Sequence, residues 1–152
     1  MHEYSVGLLI AGDNLDEAEV SRRLGLQSNV FLKKGEPMGP TRRREQSVWS
    51  FDVRPSPDNP AWPSLEDGLK CLADKLLPLK NVLSELKQRY SIDAYCGHFG
   101  SGFGGGPSIS PETLRLLADL GLTLTIKAYW DDDRPGSDAD RENRGPSRQN
   151  SD

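Results

Sequence analysis

Gly100-Ser101-Gly102-Phe103-Gly104-Gly105 carries the spacing of a dinucleotide-binding glycine loop, in which residues without side chains let backbone amides close on a pyrophosphate. That chemistry also needs the third glycine inside the opening turn of a helix, where unpaired amides face the anion. Here Pro107 to Ser110 stand between the glycines and the next helix. No strand ending in an acid stands at the usual spacing; the first carboxylate run is Asp131 to Asp133. There is no Gly-Lys-Ser/Thr ending to support a nucleotide-hydrolysing loop. The segment therefore reads first as a flexible or hairpin-forming connection and only second as a phosphate cradle.

His98 lies just before this loop and, with Ser101, offers a base and a nucleophile. A small hydrolase or transferase built there requires an acid such as Asp93 to converge on them, and Ser101 lies in no strand-turn-helix elbow. Cys96 and His98 share one strand face and Cys71 could approach from a helix, but a fourth zinc ligand is missing and His2 stands at a terminus expected to be mobile. No metal and no cofactor is expected. The cysteines read as small apolar packing residues, and two are too few for a disulfide scaffold in a chain of 152 residues.

A different chemistry is offered by Arg42-Arg43-Arg44, near Lys33 and Lys34 and followed by Trp49 and Phe51. Cations beside an aromatic platform could bind phosphate or single-stranded RNA. Trp49, however, alternates in phase with Phe51 and Val53, which places its ring in the core and removes the stacking surface. Trp62, between Pro60 and Pro63, is either an exposed contact residue or a lid folded back on the sheet.

The elements that must hold these residues follow from periodicity. Tyr4 to Ala11 is a short apolar run ended by Gly12-Asp13, a buried strand. Asn14 with Glu17 reads as a capping box for a short helix that stops at Gly25. Gln27 to Gln46 is a long exposed excursion with at most a brief strand at Val30 to Leu32, a candidate binding element. Val48 to Arg54 is a strand with one buried face. Ser64 caps a helix whose Leu65, Leu69, Leu72 and Leu76 form one stripe, and Pro78 interrupts it before a second piece carrying Leu79, Val82, Leu83 and Leu86. Ile92 to Phe99 is a strand, and Ser110-Pro111 opens a helix that ends at Gly121. The last strand alternates Leu122, Leu124, Ile126, Ala128 and Trp130 on an expected buried face against Thr123, Thr125, Lys127 and Tyr129.

Half-buried strands interleaved with helices predict an α+β fold: a mixed or antiparallel sheet with helices packed on one face. Residues 1–130 form the single domain, and 131–152 read as a disordered polar tail, with only Ala139 to bury. Net charge is −4, but from Asp131 onward there are seven acidic and four basic residues, which leaves the body with 16 acidic against 15 basic. Such a body lacks the positive field of a duplex nucleic-acid binder. The longest apolar run is far short of the roughly 18 residues a membrane helix needs, and the start of the chain lacks a secretory pattern, so a cytoplasmic location is the expectation.

Leu9-Ile10-Ala11-Gly12-Asp13-Asn14-Leu15-Asp16, then Val20, Leu24-Gly25-Leu26, Lys34-Gly35-Glu36 and Trp49, followed by the Leu-rich helix and the unit from Ser110-Pro111-Glu112-Thr113-Leu114 to Tyr129, resemble family 4279 of the bacterial domains of unknown function. The resemblance runs from about Tyr4 to Trp130. It implies a bacterial cytosolic α+β domain and brings no catalytic residue with it. By analogy of architecture, small acidic domains of this kind look like immunity proteins that occlude a toxin.

The leading expectation is thus a noncatalytic module that binds another protein, not a membrane or nucleic acid, through Lys33, Lys34, Arg42, Arg43, Arg44 and Trp62 together with His98, Gly100, Ser101, Gly102 and Phe103. A hydrolase or transferase at His98 and the glycine loop, and an anion or RNA binder at Arg42 to Arg44, are the alternatives. Oligomeric state is not readable.

Overall fold

His2–Gly12 forms β1, in which every second side chain is apolar and buried: Tyr4, Val6, Leu8 and Ile10. The rest of the chain is arranged around it. A computed structural model describes residues 2–101 and 104–130; the expected tail at 131–152 lies outside them. The order is β1, α1 (Glu17–Leu24), β2 (Val30–Leu32), β3 (Ser47–Val53), α2 (Leu65–Leu76), a 3-10 turn (Leu77–Leu79), α3 (Lys80–Leu86), β4 (Ser91–Gly100), α4 (Pro111–Asp119) and β5 (Thr123–Trp130).

The strands form one sheet in the order β2-β3-β1-β4-β5. β1 pairs antiparallel with β3 on one side and β4 on the other, and β5 alone runs parallel to its neighbour β4. The sheet is mixed, and the fold is α+β. The register aligns Val6 with Val53 and Cys96, Leu8 with Phe51 and Ala94, and Ile10 with Trp49 and Ile92, so one sheet face is a continuous apolar layer. It packs with Val20 and Leu24 of α1, the α2 stripe, Leu83 and Leu86 of α3, and Leu117 of α4 in a single core. The residues between them, including Ser5, Leu9, Ser50, Asp93, Tyr95, Thr125 and Lys127, occupy the other face, which no helix among the described residues covers.

Close contact between α2 and β1 depends on Gly68. A Cβ there would lie 2.6 Å from the Val6 side chain and 3.1 Å from the Trp62 ring, so a larger residue would lift the helix off the strand. Trp49 is fully buried and its indole N–H donates to Ser21 Oγ at 3.0 Å, which removes its ring from any nucleic-acid stacking role.

Two local expectations change. The N-cap of α1 is Asp16, not Asn14; its carboxylate accepts from the amides of Ala18 (3.0 Å) and Glu19 (3.3 Å). Glu17 accepts instead from Ser28 Oγ at 2.8 Å, pinning the chain beyond the helix. The apolar face of β5 is largely uncovered, with Ile126 41% and Trp130 39% exposed. The cause is length: the nine residues of α4 span about 13 Å, whereas the eight of β5 span about 26 Å.

Truncating Leu69 to Ala in the α2 stripe should cost about 2–5 kcal/mol in a denaturant titration. Leu77→Ala, only a few residues along but 53% exposed, should stay within about 0.5 kcal/mol of the parent.

Candidate functional site

The register divides the sequence-derived site residues into two groups. β3 begins at Ser47 opposite Gly12, at one end of β1, whereas β4 ends at Gly100 opposite His2, at the other. Eleven strand residues separate these ends by about 30 Å. Lys33, Lys34, Arg42, Arg43 and Arg44 belong to the first end; His98, Gly100, Ser101 and Trp62 belong to the second. The two loops that the sequence offers as one recognition surface therefore stand at opposite ends of the sheet. Gly102 and Phe103 lie outside the described residues.

At the second end, side chains alternating along β1 and β4 bring His2, Tyr4 and His98 to one face. His98 is buried and stacks on Tyr4 with ring centroids 4.7 Å apart, and the Trp130 ring meets it edge-on at 5.4 Å. His2 Nε2 lies 3.0 Å from the Gly104 carbonyl, which can only accept, so this nitrogen carries the proton. His2 Nδ1 stands 2.9 Å from His98 Nε2, within hydrogen-bonding distance. Burial, followed by the proximity of His2, holds the His98 pKa below its ordinary value. The terminus expected to be mobile is thus locked into the sheet, a pairing signalled only by the in-phase series His2, Tyr4, Val6.

The glycines serve this histidine pair. A Cβ on Gly100 would come within 2.6 Å of His2 Nδ1, and one on Gly105, whose φ is +79°, within 2.6 Å of His2 Nε2. The loop closes on an imidazole where the sequence motif suggested a phosphate.

The helix behind the loop is also occupied. Ser110 caps α4, and the Glu66 carboxylate from α2 accepts from the Ser110 amide (2.9 Å) and the Thr113 hydroxyl (2.9 Å). These bonds hold the Glu66 pKa down at about 2. An internal carboxylate stands where a bound phosphate would sit. Glu66 was not singled out in the sequence, since nothing local links it to a helix 44 residues later.

The acid needed for a hydrolase is misplaced. Asp93 projects from the opposite sheet face, about 16 Å along the strand from His98, and accepts from Thr125 Oγ1 at 3.2 Å. The Cys96 thiol is pushed up to about 12 by burial. Among the described residues no three His, Cys, Asp or Glu side chains converge as metal ligands.

Trp62 is the lid. Its backbone exchanges two hydrogen bonds with Tyr4 (2.9 and 2.7 Å), taking up the edge of β1 that β3 leaves beyond Val53, and its indole N–H donates to Val53 O at 2.9 Å. The ring lies against Gly68. It staples the Pro-rich connection to the sheet and is not a free contact residue.

At the first end, the excursion predicted as loop is an ordered arm. The Gly35 amide donates to Arg44 O (2.8 Å), Arg44 N–H to Glu36 O (2.9 Å) and Met38 N–H to Arg42 O (2.7 Å), forming a narrow hairpin with Gly39 at its tip, φ +88°. The Lys34 amide anchors the base to Ser47 Oγ at 2.9 Å. Residues 33–43 are all exposed. Lys34 lies 3.6 Å from Asp13, and Arg43 donates to Gly35 O at 3.0 Å. Met38, the three arginines, Glu45, Gln46 and Val48 line a shallow groove of about 420 Å³.

The profile of the family described as "Domain of unknown function (DUF4279)" matches residues 2–131, the whole of this sheet and its helices. The chain belongs to the DUF4279 family. No curated protein and no solved structure matches it. The family assignment agrees with the sequence resemblance and spans both the arm and the histidine pair of this DUF4279 domain.

Two titrations check the geometry. Because the Glu66 pKa is depressed when folded, its stabilisation is complete above about 4.5 and lost as pH falls toward about 2. Glu66→Gln should therefore lower the melting temperature at neutral pH, with the difference shrinking through that window. By NMR, His98 should titrate below 6.5, and His2→Ala should raise its pKa. A His98 titration unmoved by the change would contradict the pairing.

Proposed function

We propose that this DUF4279 domain is a noncatalytic interaction module whose arm, Lys33–Arg44, engages an acidic surface of a partner protein. The supporting observation is the concentration of five cations on one hairpin, Lys33, Lys34, Arg42 and Arg43 exposed and Arg44 half-buried, of which Lys34 alone is within ion-pairing reach of a carboxylate among the described residues. On a body of nearly balanced charge such a local patch steers an oppositely charged partner and orients its approach. Arginine suits this role, because its planar fork binds carboxylates in a bidentate way. The groove beside the arm adds Met38, 45% exposed, as an adaptable apolar contact.

Two features weigh against the alternatives. Acid-base work needs a carboxylate or nucleophile beside His98, whose hydrogen-bond and ring contacts among the described residues are with His2, Tyr4 and Trp130. RNA binding needs exposed aromatic platforms near the cations, and Trp49 is in the core. An immunity-like role falls within the proposal, with the arm as the occluding element.

The test is affinity capture from the source organism with the parent chain and with R42E/R43E/R44E, whose far-UV spectrum should match the parent. Loss of a specific acidic protein from the variant, and its release from the parent by moderate salt, is the expected result. An identical set of captured proteins, or nucleic acid in place of protein, would refute the arm as a protein-docking element.

A further inference from the structure

Lys33–Arg44 is not the one surface without an internal partner. β5 is an edge of the sheet: it pairs with β4 on one side, and no described residue pairs with the other. Proteins usually protect such edges by making them short or by placing proline, charge or a bulge along them. The opposite edge strand, β2, has three residues. β5 has eight, Thr-Leu-Thr-Ile-Lys-Ala-Tyr-Trp, with a single charge and no proline.

Exposed apolar area also gathers here. Ile126 and Trp130 stand on the helix side, and Tyr129 (37% exposed), stacked on Phe99 (45% exposed) at 4.9 Å, stands on the open side. A strand added to this edge would bury apolar surface both above and below the sheet.

We propose that the missing neighbour is β5 of a second copy, running antiparallel across a two-fold axis and joining the two sheets into one of ten strands. The sequence of β5 selects that occupant. In antiparallel pairing, directly opposed residues share a face, so a symmetric register near the strand centre must place Thr125, Ile126, Lys127 or Ala128 opposite itself. Centring on Lys127 sets two ammonium groups against each other, which is destabilising. Centring on Thr125 leaves Tyr129 and Trp130 beyond the end of the opposing strand, and centring on Ala128 leaves Thr123, Leu124 and Thr125 beyond it.

Centring on Ile126 pairs Ile126 with Ile126, Leu124 with Ala128, Thr123 with Tyr129 and Leu122 with Trp130, apolar against apolar on the helix side. It also sets Lys127 opposite Thr125 of the second copy, whose hydroxyl donates to Asp93 at 3.2 Å, so each ammonium faces the side of the sheet that carries the other copy's Asp93 carboxylate. Backbone pairing, apolar contact and opposite charges agree in this one register. A closed, isologous pair also hides both long edges at once.

The experiment uses the full chain at micromolar concentration. Sedimentation should give twice the chain mass, and Ile126→Lys, with its far-UV spectrum preserved, should give the monomer mass. In a Cys71→Ser background, Ile126→Cys should be joined into a covalent dimer by a short thiol cross-linker. Tyr129→Cys should not, because its copies stand about 20 Å apart in this register. A monomeric parent chain overturns the proposal, whether the edge is then covered by the chain's own residues or by a foreign segment. A dimer in which the Ile126→Cys variant stays unlinked, or the Tyr129→Cys variant links, overturns it equally. Should Ile126→Lys fail to fold, the two cross-linking variants decide.

Discussion

Everything in this domain depends on β1 being covered on one face only. Its even-numbered residues from Tyr4 to Ile10 are enclosed by α2, made possible by the bare backbone of Gly68, while the odd-numbered ones stand on the uncovered side of the sheet. Because β1 also has a strand on each flank, it sets the register for β3 and β4, and through β4 for β5. A slip of one residue in β1 would turn its own apolar residues to the uncovered face and set polar ones against α2.

The same strand separates the molecule into two ends of opposite character. One end is closed: imidazole against imidazole, glycines folded over them, a tryptophan stapled alongside and a carboxylate filling the start of α4. The other end is open, with a cationic hairpin standing away from the body beside shallow grooves. Groups that satisfy one another inside a fold have little capacity left for a ligand, and groups held out in water retain theirs. On that physical ground the proposed contact is placed on the arm.

Most of the architecture was legible in the sequence, because alternation and capping are local signals. The strand at Val48–Arg54 with Trp49 inward, the stripe through Leu65, Leu69, Leu72 and Leu76, the interruption at Pro78 and the Ser110-Pro111 helix start all appear within a residue or two of where the pattern put them. The misreadings have one cause. The carboxylate on α4, the partner of His98 and the cover over Trp62's neighbour Tyr4 are made by residues 44 to 96 positions apart, and no local pattern reports such a pairing. The cap of α1 is an exception, since Asn14 and Asp16 are both good caps and only the backbone path distinguishes them. The bare face of β5 could have been anticipated by comparing the length of α4 with that of the strand it must cover.

The bond from Glu66 to the start of α4 also bears on the order of assembly. Ser64 caps α2 two residues before Glu66, so a single turn of chain supplies the beginnings of two helices that lie far apart in sequence. α4 is too short to persist by itself in water, and its first turn acquires its full set of acceptors only after α2 has formed. α4 and the strand that follows it are accordingly tied to a platform made by the earlier part of the chain.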